Sequence, residues 1–150
     1  PPLRHRRIHR HRRPAVKGRP FAIALRVYYQ DTDAGGVVFH AQYLAFMERA
    51  RTELLIAAGI DLSRLSDERR VMFMVHELAV RFHRPARLND LVSVSAEVVK
   101  MGRASVVFRQ RVERGPALLV EADVTVAVVD WVRMRPARMP EELKQALERT

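Results

Sequence analysis

The chain has 150 residues, enough for one domain with a hydrophobic core and too few for two domains of ordinary size. Its net charge is +10, and it has no cysteine, which excludes disulfides, Cys-ligated zinc, iron–sulfur clusters and thiol nucleophiles. Glu121 and Asp123 interrupt the most apolar stretch, residues 117–129, so we expect no membrane span.

The positive charge is concentrated at the N-terminus. Residues 1–20 hold eight of the 27 basic residues, four prolines and no acid, whereas the other 130 residues carry a net charge of about +2. Without a hydrophobic period, such a segment cannot repay the entropy of ordering. We predict a disordered basic tail over residues 1–20 and a single domain over residues 21–150.

The first half of the domain is predicted to form a strand, a long helix and a second strand. Apolar residues alternate from Phe21 to Tyr29, as in a half-buried strand, and a turn-rich loop follows. Apolar steps of three and four predict a helix over about 41–58, which Gly59 ends. Residues 61–70 are interpreted as an irregular connection. The second strand is predicted from Met72 to about Phe82, with Met72, Met74, Leu78, Val80 and Phe82 on one face.

The second half is predicted to be mostly antiparallel sheet. Strands over about 90–101, 103–114 and 117–130 are separated by turns too short for anything but hairpins, and residues 141–148 form a short helix. The result is an α+β fold, a five-stranded antiparallel sheet with one long helix. Because one helix covers only one face, we expect at least a dimer.

The densest polar cluster, residues 28–40, lies between the first strand and the long helix. It fits neither a calcium loop, whose twelfth position would be Gln42 instead of Glu, nor a phosphate-binding motif. Free backbone N–H groups at a helix start can stabilise an oxyanion, and Gly35 and Gly36 permit close approach of the backbone. Asp33 would supply a nucleophile or general base, which suffices for a thioester because thiolates leave readily.

The run from Tyr29 to Tyr43, YQDTDAGGVVFHAQY, resembles the signature of hotdog-fold acyl-CoA thioesterases of the 4-hydroxybenzoyl-CoA thioesterase family. Residues 48–53, 84–87 and 100–105 extend the similarity, which is greatest to the Tol–Pal-associated branch. The resemblance implies a hotdog fold, in which the sheet wraps the long helix. It also implies hydrolysis of acyl-CoA to a carboxylic acid and coenzyme A.

The resemblance assigns catalytic roles to three residues. Asp33 matches the catalytic carboxylate, and Tyr29 and His40 match the other residues implicated in this branch. The His40 backbone N–H matches the donor that polarises the thioester carbonyl. The alternatives are that Asp33 caps a turn, that His40 donates to a carbonyl at the helix start, and that Tyr29 is the last buried residue of its strand. Asp31 is interpreted as a turn residue.

The remaining predictions concern ligands and partners. Arg84, Arg87 and Arg103 are candidate contacts for the coenzyme A phosphates, with a solvated rim as the alternative. His76 and His83 point to opposite faces of one strand, so we expect no metal, and we expect no cofactor because coenzyme A is part of the substrate.

The expected assembly is a homodimer or homotetramer with active sites at the dimer interface. A cytoplasmic location, peripheral to the inner membrane, and association with cell-envelope or phospholipid-synthesis proteins are further expectations. Nucleic acid is not an expected partner, although binding through the basic tail is kept as a rival hypothesis. The alternative to an enzyme is a non-catalytic hotdog protein that binds acyl-CoA or a partner.

Overall fold

The structure, a computed structural model, describes residues 19–150, so nearly all of the predicted tail lies outside the described residues. The described part contains six strands and three helices: β1 (Phe21–Arg26), α1 (Gln42–Ala57), α2 (Leu62–Arg69), β2 (Val71–Phe82), β3 (Leu91–Met101), β4 (Ser105–Arg114), β5 (Ala117–Asp130), β6 (Arg135–Pro136) and α3 (Glu141–Glu148).

One antiparallel sheet carries the whole fold. Its strands are ordered β1, β3, β4, β5, β2, and the two-residue β6 pairs with the end of β5. The helix α1 lies on the inner face, against β1, β3 and β4. Its buried residues Phe46, Met47 and Ala50 meet strand residues such as Phe108 in a single core. The predicted α+β architecture is confirmed, with β6 and α2 added to it.

The predicted irregular connection over residues 61–70 is wrong, because most of it forms α2. The Asp61 side chain accepts a hydrogen bond from the Arg64 N–H at 3.1 Å and so caps the helix. Leu65 is buried, and Arg70, with φ of +56°, ends the helix. The Asp-Leu-x-x-Leu pattern at its start is a recognisable capping signal that hydrophobic periodicity over so few residues does not reveal.

A bulge in β2 changes which of its residues face the core. The register against β5 shifts between Val75 and Glu77, so His76 is an extra residue. Before the bulge Phe73 and Val75 pair with the buried Val128 and Val126, and after it Leu78 pairs with the buried Val124. The predicted face is therefore wrong in its first half, since Met72 and Met74 lie on the outer face.

Much of the inner face of β2 stays exposed, although α2 contacts the strand and the Phe82 ring lies 5.9 Å from the Tyr43 ring of α1. Val75, Leu78 and Phe82 point to this face and are 49%, 41% and 53% exposed. Strand β2 is also one of the two edge strands of the sheet. An edge strand with an apolar, uncovered face is a site for another chain to bind.

A buried hydrogen bond ties the start of α1 to the chain that follows β2. The Tyr43 hydroxyl accepts a hydrogen bond from the Ala86 N–H at 2.9 Å, and both residues are buried. Burial raises the pKa of Tyr43, so its hydroxyl stays protonated at neutral pH.

We predict that Tyr43→Phe lowers the free energy of unfolding by about 1–3 kcal/mol, because it leaves the Ala86 N–H buried without an acceptor. Urea denaturation at fixed protein concentration measures the change. The control is Tyr28→Phe, at an exposed tyrosine, for which we expect a change below about 0.5 kcal/mol. Equal stability of the two variants would contradict the prediction.

Candidate active site

The loop between β1 and α1 is organised by the buried carboxylate of Asp31. Its Oδ2 accepts a hydrogen bond from the Tyr28 N–H at 2.8 Å, and its Oδ1 accepts one from the Gln42 Nε2 at 2.9 Å. The Asp31 backbone carbonyl also accepts from the Phe39 N–H at 3.1 Å. One residue thus holds both the beginning and the end of the loop, in line with its interpretation as a turn residue.

Asp33 lies at the base of a tight turn. Its N–H donates to the Val37 carbonyl at 2.9 Å, and its own carbonyl accepts from the Gly36 N–H at 3.0 Å. The carboxylate is exposed, and its Oδ1 accepts a hydrogen bond from the Gly35 N–H at 2.8 Å. Among residues 19–150, no donor binds its Oδ2. The carboxylate is therefore fixed through one oxygen and accessible through the other.

Both glycines suit the geometry of the turn. A Cβ at Gly35 would lie 3.2 Å from the Asp33 Oδ1, so a side chain there would crowd the carboxylate. Gly36 has a φ of +75°, which L-residues rarely adopt. The glycines keep the backbone beside Asp33 open, and their contact with substrate stays a prediction.

The start of α1 offers free backbone donors. The N-cap residue is Ala41, which has no side chain able to cap the helix. In the part of the chain that the structure describes, no acceptor binds the N–H of His40 or that of Ala41. Such groups, at the positive end of the helix dipole, can stabilise a developing negative charge. The side chain of His40 is exposed, with its ring packed against Phe39 at 4.4 Å.

Tyr29 is not a buried residue at the end of a strand. The strand β1 ends at Arg26, and Tyr29 begins a short 3₁₀ turn over Tyr29–Asp31 that the Asp31 carboxylate stabilises. Its side chain is 83% exposed. The alternation from Phe21 therefore predicts too long a strand. The Asp31 carboxylate accepts the hydrogen bond of the Tyr28 N–H, two residues after β1 ends, so that the backbone turns there.

The structure places Arg84 and Arg87 beside this loop. Both follow β2, and the backbone of Arg87 forms a bridge with Val37. Both side chains are exposed. Their location is compatible with either a phosphate contact or a solvated rim.

Arg103 lies far from the loop of its own chain. It belongs to the turn between β3 and β4, at the opposite end of the sheet from the residues that follow β1. The 11 residues of β3 separate the two ends by roughly 35 Å. The described chain by itself therefore does not bring Arg103 together with Asp33.

In the described part of the chain, the two histidines of the β2 region belong to no group of metal ligands. His76 is the bulge residue of β2, and His83 lies just beyond the strand, with its Nε2 3.3 Å from the Glu121 Oε1. Within residues 19–150, no three His, Asp or Glu side chains are grouped as metal ligands.

None of the helices within residues 19–150 has the length and apolarity needed to cross a membrane.

Comparison with known proteins identifies the family. The profile of the thioesterase superfamily matches residues 35–121, more than half of the chain. The acyl-CoA thioesterase YbgC of Haemophilus influenzae is 44% identical over 126 residues, which cover 84% of this chain and 93% of that protein. The acyl-CoA thioester hydrolase YbgC of Escherichia coli O6:H1 is 44% identical over 124 residues, 82% of this chain and 92% of that protein.

The solved structures agree with the sequence relatives. A probable thioesterase from Bartonella henselae is similar with a TM-score of 0.76 at 32% identity, covering 79% of this chain and 98% of that one. The predicted family and the predicted hotdog fold are both confirmed. The chain belongs to the thioesterase superfamily.

Proposed function

We propose that this protein hydrolyses acyl-CoA thioesters, with Asp33 as the catalytic carboxylate. The class of enzyme, an acyl-CoA thioester hydrolase, is that of relatives 44% identical over most of both chains, so the predicted activity is confirmed. The role of Asp33 is supported by one observation above all. Its carboxylate is exposed on a turn that Asp31, Gly35 and Gly36 hold in place directly before α1.

The turn supports two routes to the same products. As a nucleophile, the free Oδ2 of Asp33 would attack the thioester carbon, break the C–S bond and give a mixed anhydride that water hydrolyses. As a general base, it would take a proton from the attacking water. In both routes coenzyme A leaves as a thiolate. The negative charge on the carbonyl oxygen would be stabilised by the free N–H of His40.

Tyr29 and the ring of His40 are proposed to assist by surrounding the reacting group. Both side chains are exposed and flank the turn that carries Asp33. A large exposed tyrosine beside a catalytic carboxylate has little to contact in a single chain. This supports a site completed by substrate or by a second subunit.

A homodimer formed through β2 is proposed as the active unit. Antiparallel pairing of two β2 strands would pair the free backbone N–H and C=O groups of this edge strand. It would also let the partner subunit cover the apolar inner face around Leu78. Such a pairing places the start of one β2 beside the end of the other. Arg103 of the partner subunit then lies at the same end of the joined sheet as Asp33.

In this arrangement the three candidate arginines of one site come from both subunits. Arg84 and Arg87 would approach the coenzyme A phosphates from the subunit that carries the catalytic loop, and Arg103 of the partner subunit would approach from the other side. Association with cell-envelope or phospholipid-synthesis proteins and the cytoplasmic location stay predictions. The tetramer is an alternative to the dimer.

We predict that Asp33→Asn lowers kcat for acyl-CoA hydrolysis by about 10²–10⁴-fold with little change in KM, because the amide neither attacks nor accepts a proton. A panel of acyl-CoA substrates with a thiol-reactive dye measures the release of coenzyme A.

The control for Asp33→Asn is Asp31→Asn, which weakens the two hydrogen bonds by which the Asp31 carboxylate holds the loop. We expect that variant to melt at a lower temperature while its folded fraction retains more than a tenth of the parent kcat. If Asp33→Asn is as active as the parent, Asp33 is not catalytic. If the parent binds acyl-CoA without cleaving it, the non-catalytic alternative holds.

We predict that Leu78→Lys converts the protein to a monomer in sedimentation velocity, because the lysine charge would be buried in the proposed interface. Leu91→Lys is the matched control, since Leu91 is also exposed but lies at the start of β3, away from β2. An unchanged sedimentation coefficient for Leu78→Lys would contradict an interface through β2.

We predict that Arg103→Ala raises KM for acyl-CoA about fivefold or more, from the loss of one charge-assisted hydrogen bond to phosphate. Hydrolysis of the matching acyl-pantetheine, which lacks the nucleotide, should not change. Arg49→Ala, at an exposed position of α1, serves as the control. Equal effects of Arg103→Ala on both substrates would exclude a phosphate contact.

A further inference from the structure

A cavity of about 320 Å³ lies between α1 and the half of the sheet that contains β2. It is mostly apolar, but three polar residues of α1 line it, Glu48, Arg51 and Thr52. Most of the remaining lining comes from Leu55 of α1, Leu62 of α2 and the inner-face strand residues Phe73, Val75, Phe108 and Val126. Its volume is at the small end for ligand-binding cavities, which favours a short ligand over a long fatty chain.

The guanidinium of Arg51 is held in position by a buried glutamine. Its Nη1 donates a hydrogen bond to the Gln110 Oε1 at 2.8 Å. Gln110 is fully buried, and its Nε2 donates to the carbonyls of Met47 at 2.9 Å and Ser95 at 3.1 Å. Both ends of the glutamine amide are thus satisfied. The guanidinium is fixed at the cavity wall, whereas a solvated arginine would move freely.

The positive charge of Arg51 has no matching negative charge in contact with it. Within the described part of the chain, no carboxylate lies within 4.0 Å of its nitrogen atoms. Burial lowers the pKa of Arg51, and the attraction of Glu48 offsets only part of that effect. A partly buried cation is costly unless it is paired, and guanidinium has five N–H donors, of which this contact uses one.

We propose that this cavity binds the acyl group of the substrate and that Arg51 selects acyl groups that end in a carboxylate. A planar carboxylate matches the guanidinium fork with two parallel hydrogen bonds and supplies the missing charge. The apolar residues would contact the methylene groups between the carboxylate and the thioester. This inference rests on the proposed acyl-CoA hydrolysis.

The position of the cavity suits a site shared between two subunits. Arg51 follows Gln42, the first residue of α1, by nine residues, which corresponds to about 13 Å along the helix. Phe73 and Val75 belong to the first half of β2, which in the proposed antiparallel dimer lies beside the second half of the partner strand. The acyl group would then extend from the catalytic loop of one subunit into the cavity of the other.

The test compares substrates of equal carbon number. We expect the parent enzyme to hydrolyse glutaryl-CoA with kcat/KM at least about tenfold above pentanoyl-CoA, and adipoyl-CoA likewise above hexanoyl-CoA. Arg51→Gln should reduce both ratios about tenfold or more, and Arg51→Lys should reduce them less. The matched control, Arg49→Gln, removes an exposed arginine of the same helix and should leave both ratios unchanged.

The outcomes separate the inference from the proposed function. If none of the four substrates is cleaved, the proposed hydrolysis fails. Only the selection by Arg51 is overturned if kcat/KM is equal for the unsubstituted and the carboxylated acyl groups, or if Arg51→Gln keeps the parent ratios. Dissociation of Arg51→Gln into monomers in sedimentation velocity, with unchanged ratios, would assign the guanidinium to a subunit contact and also overturn it.

A binding measurement avoids dependence on the variants. Calorimetry of the parent protein with two thioether analogues of coenzyme A, carrying a carboxybutyl or a pentyl group, reports the preference directly. Tighter binding of the carboxybutyl analogue by about tenfold or more supports the proposal. Equal binding, or tighter binding of the pentyl analogue, overturns it.

Discussion

The candidate site depends on the buried carboxylate of Asp31. It accepts hydrogen bonds from the Tyr28 backbone before the Asp33 turn and from Gln42 in the first turn of α1. A carboxylate that is buried but bonded through both oxygens satisfies donors that would otherwise be orphaned. The exposed Asp33, two residues later, can therefore be open to solvent without loss of the loop. One aspartate provides structure, and the next remains available for chemistry.

Much of the fold follows from the sequence because its signals are local. The period of α1 and the positive φ of Gly59 fix that helix, and the short turns fix the hairpins between β3, β4 and β5. The bulge at His76 is not predictable in this way. An extra residue in β2 is defined only by its register against β5, a partner more than 40 residues away. Apolar residues occur on both faces of β2, so the alternation of apolar residues does not reveal the shift in register at His76 either.

The candidate site divides along the same line. Asp33, Gly35 and Gly36 can be identified from a contiguous motif, and the structure accounts for each by a turn within a few residues. The Arg51–Gln110 pair cannot, because it joins positions 59 residues apart in sequence. Arg51 belongs to the charged side of α1 and, by pattern, is expected in solvent. Only the curvature of the sheet around the helix brings the buried Gln110 beneath it.

The starts of α1 and α2 differ in how their backbone N–H groups are capped. The short helix α2 is capped by Asp61, whereas the much longer α1 begins at Ala41 without a side-chain cap. A capping side chain typically contributes about 1 kcal/mol to stability, so its absence at the main helix is a cost. A cap there would also occupy N–H groups that we propose bind the substrate oxyanion. Because α1 is anchored by Tyr43 and by its apolar face, the helix tolerates an uncapped start, and the packing of the core leaves the N–H groups of that start free for the proposed chemistry.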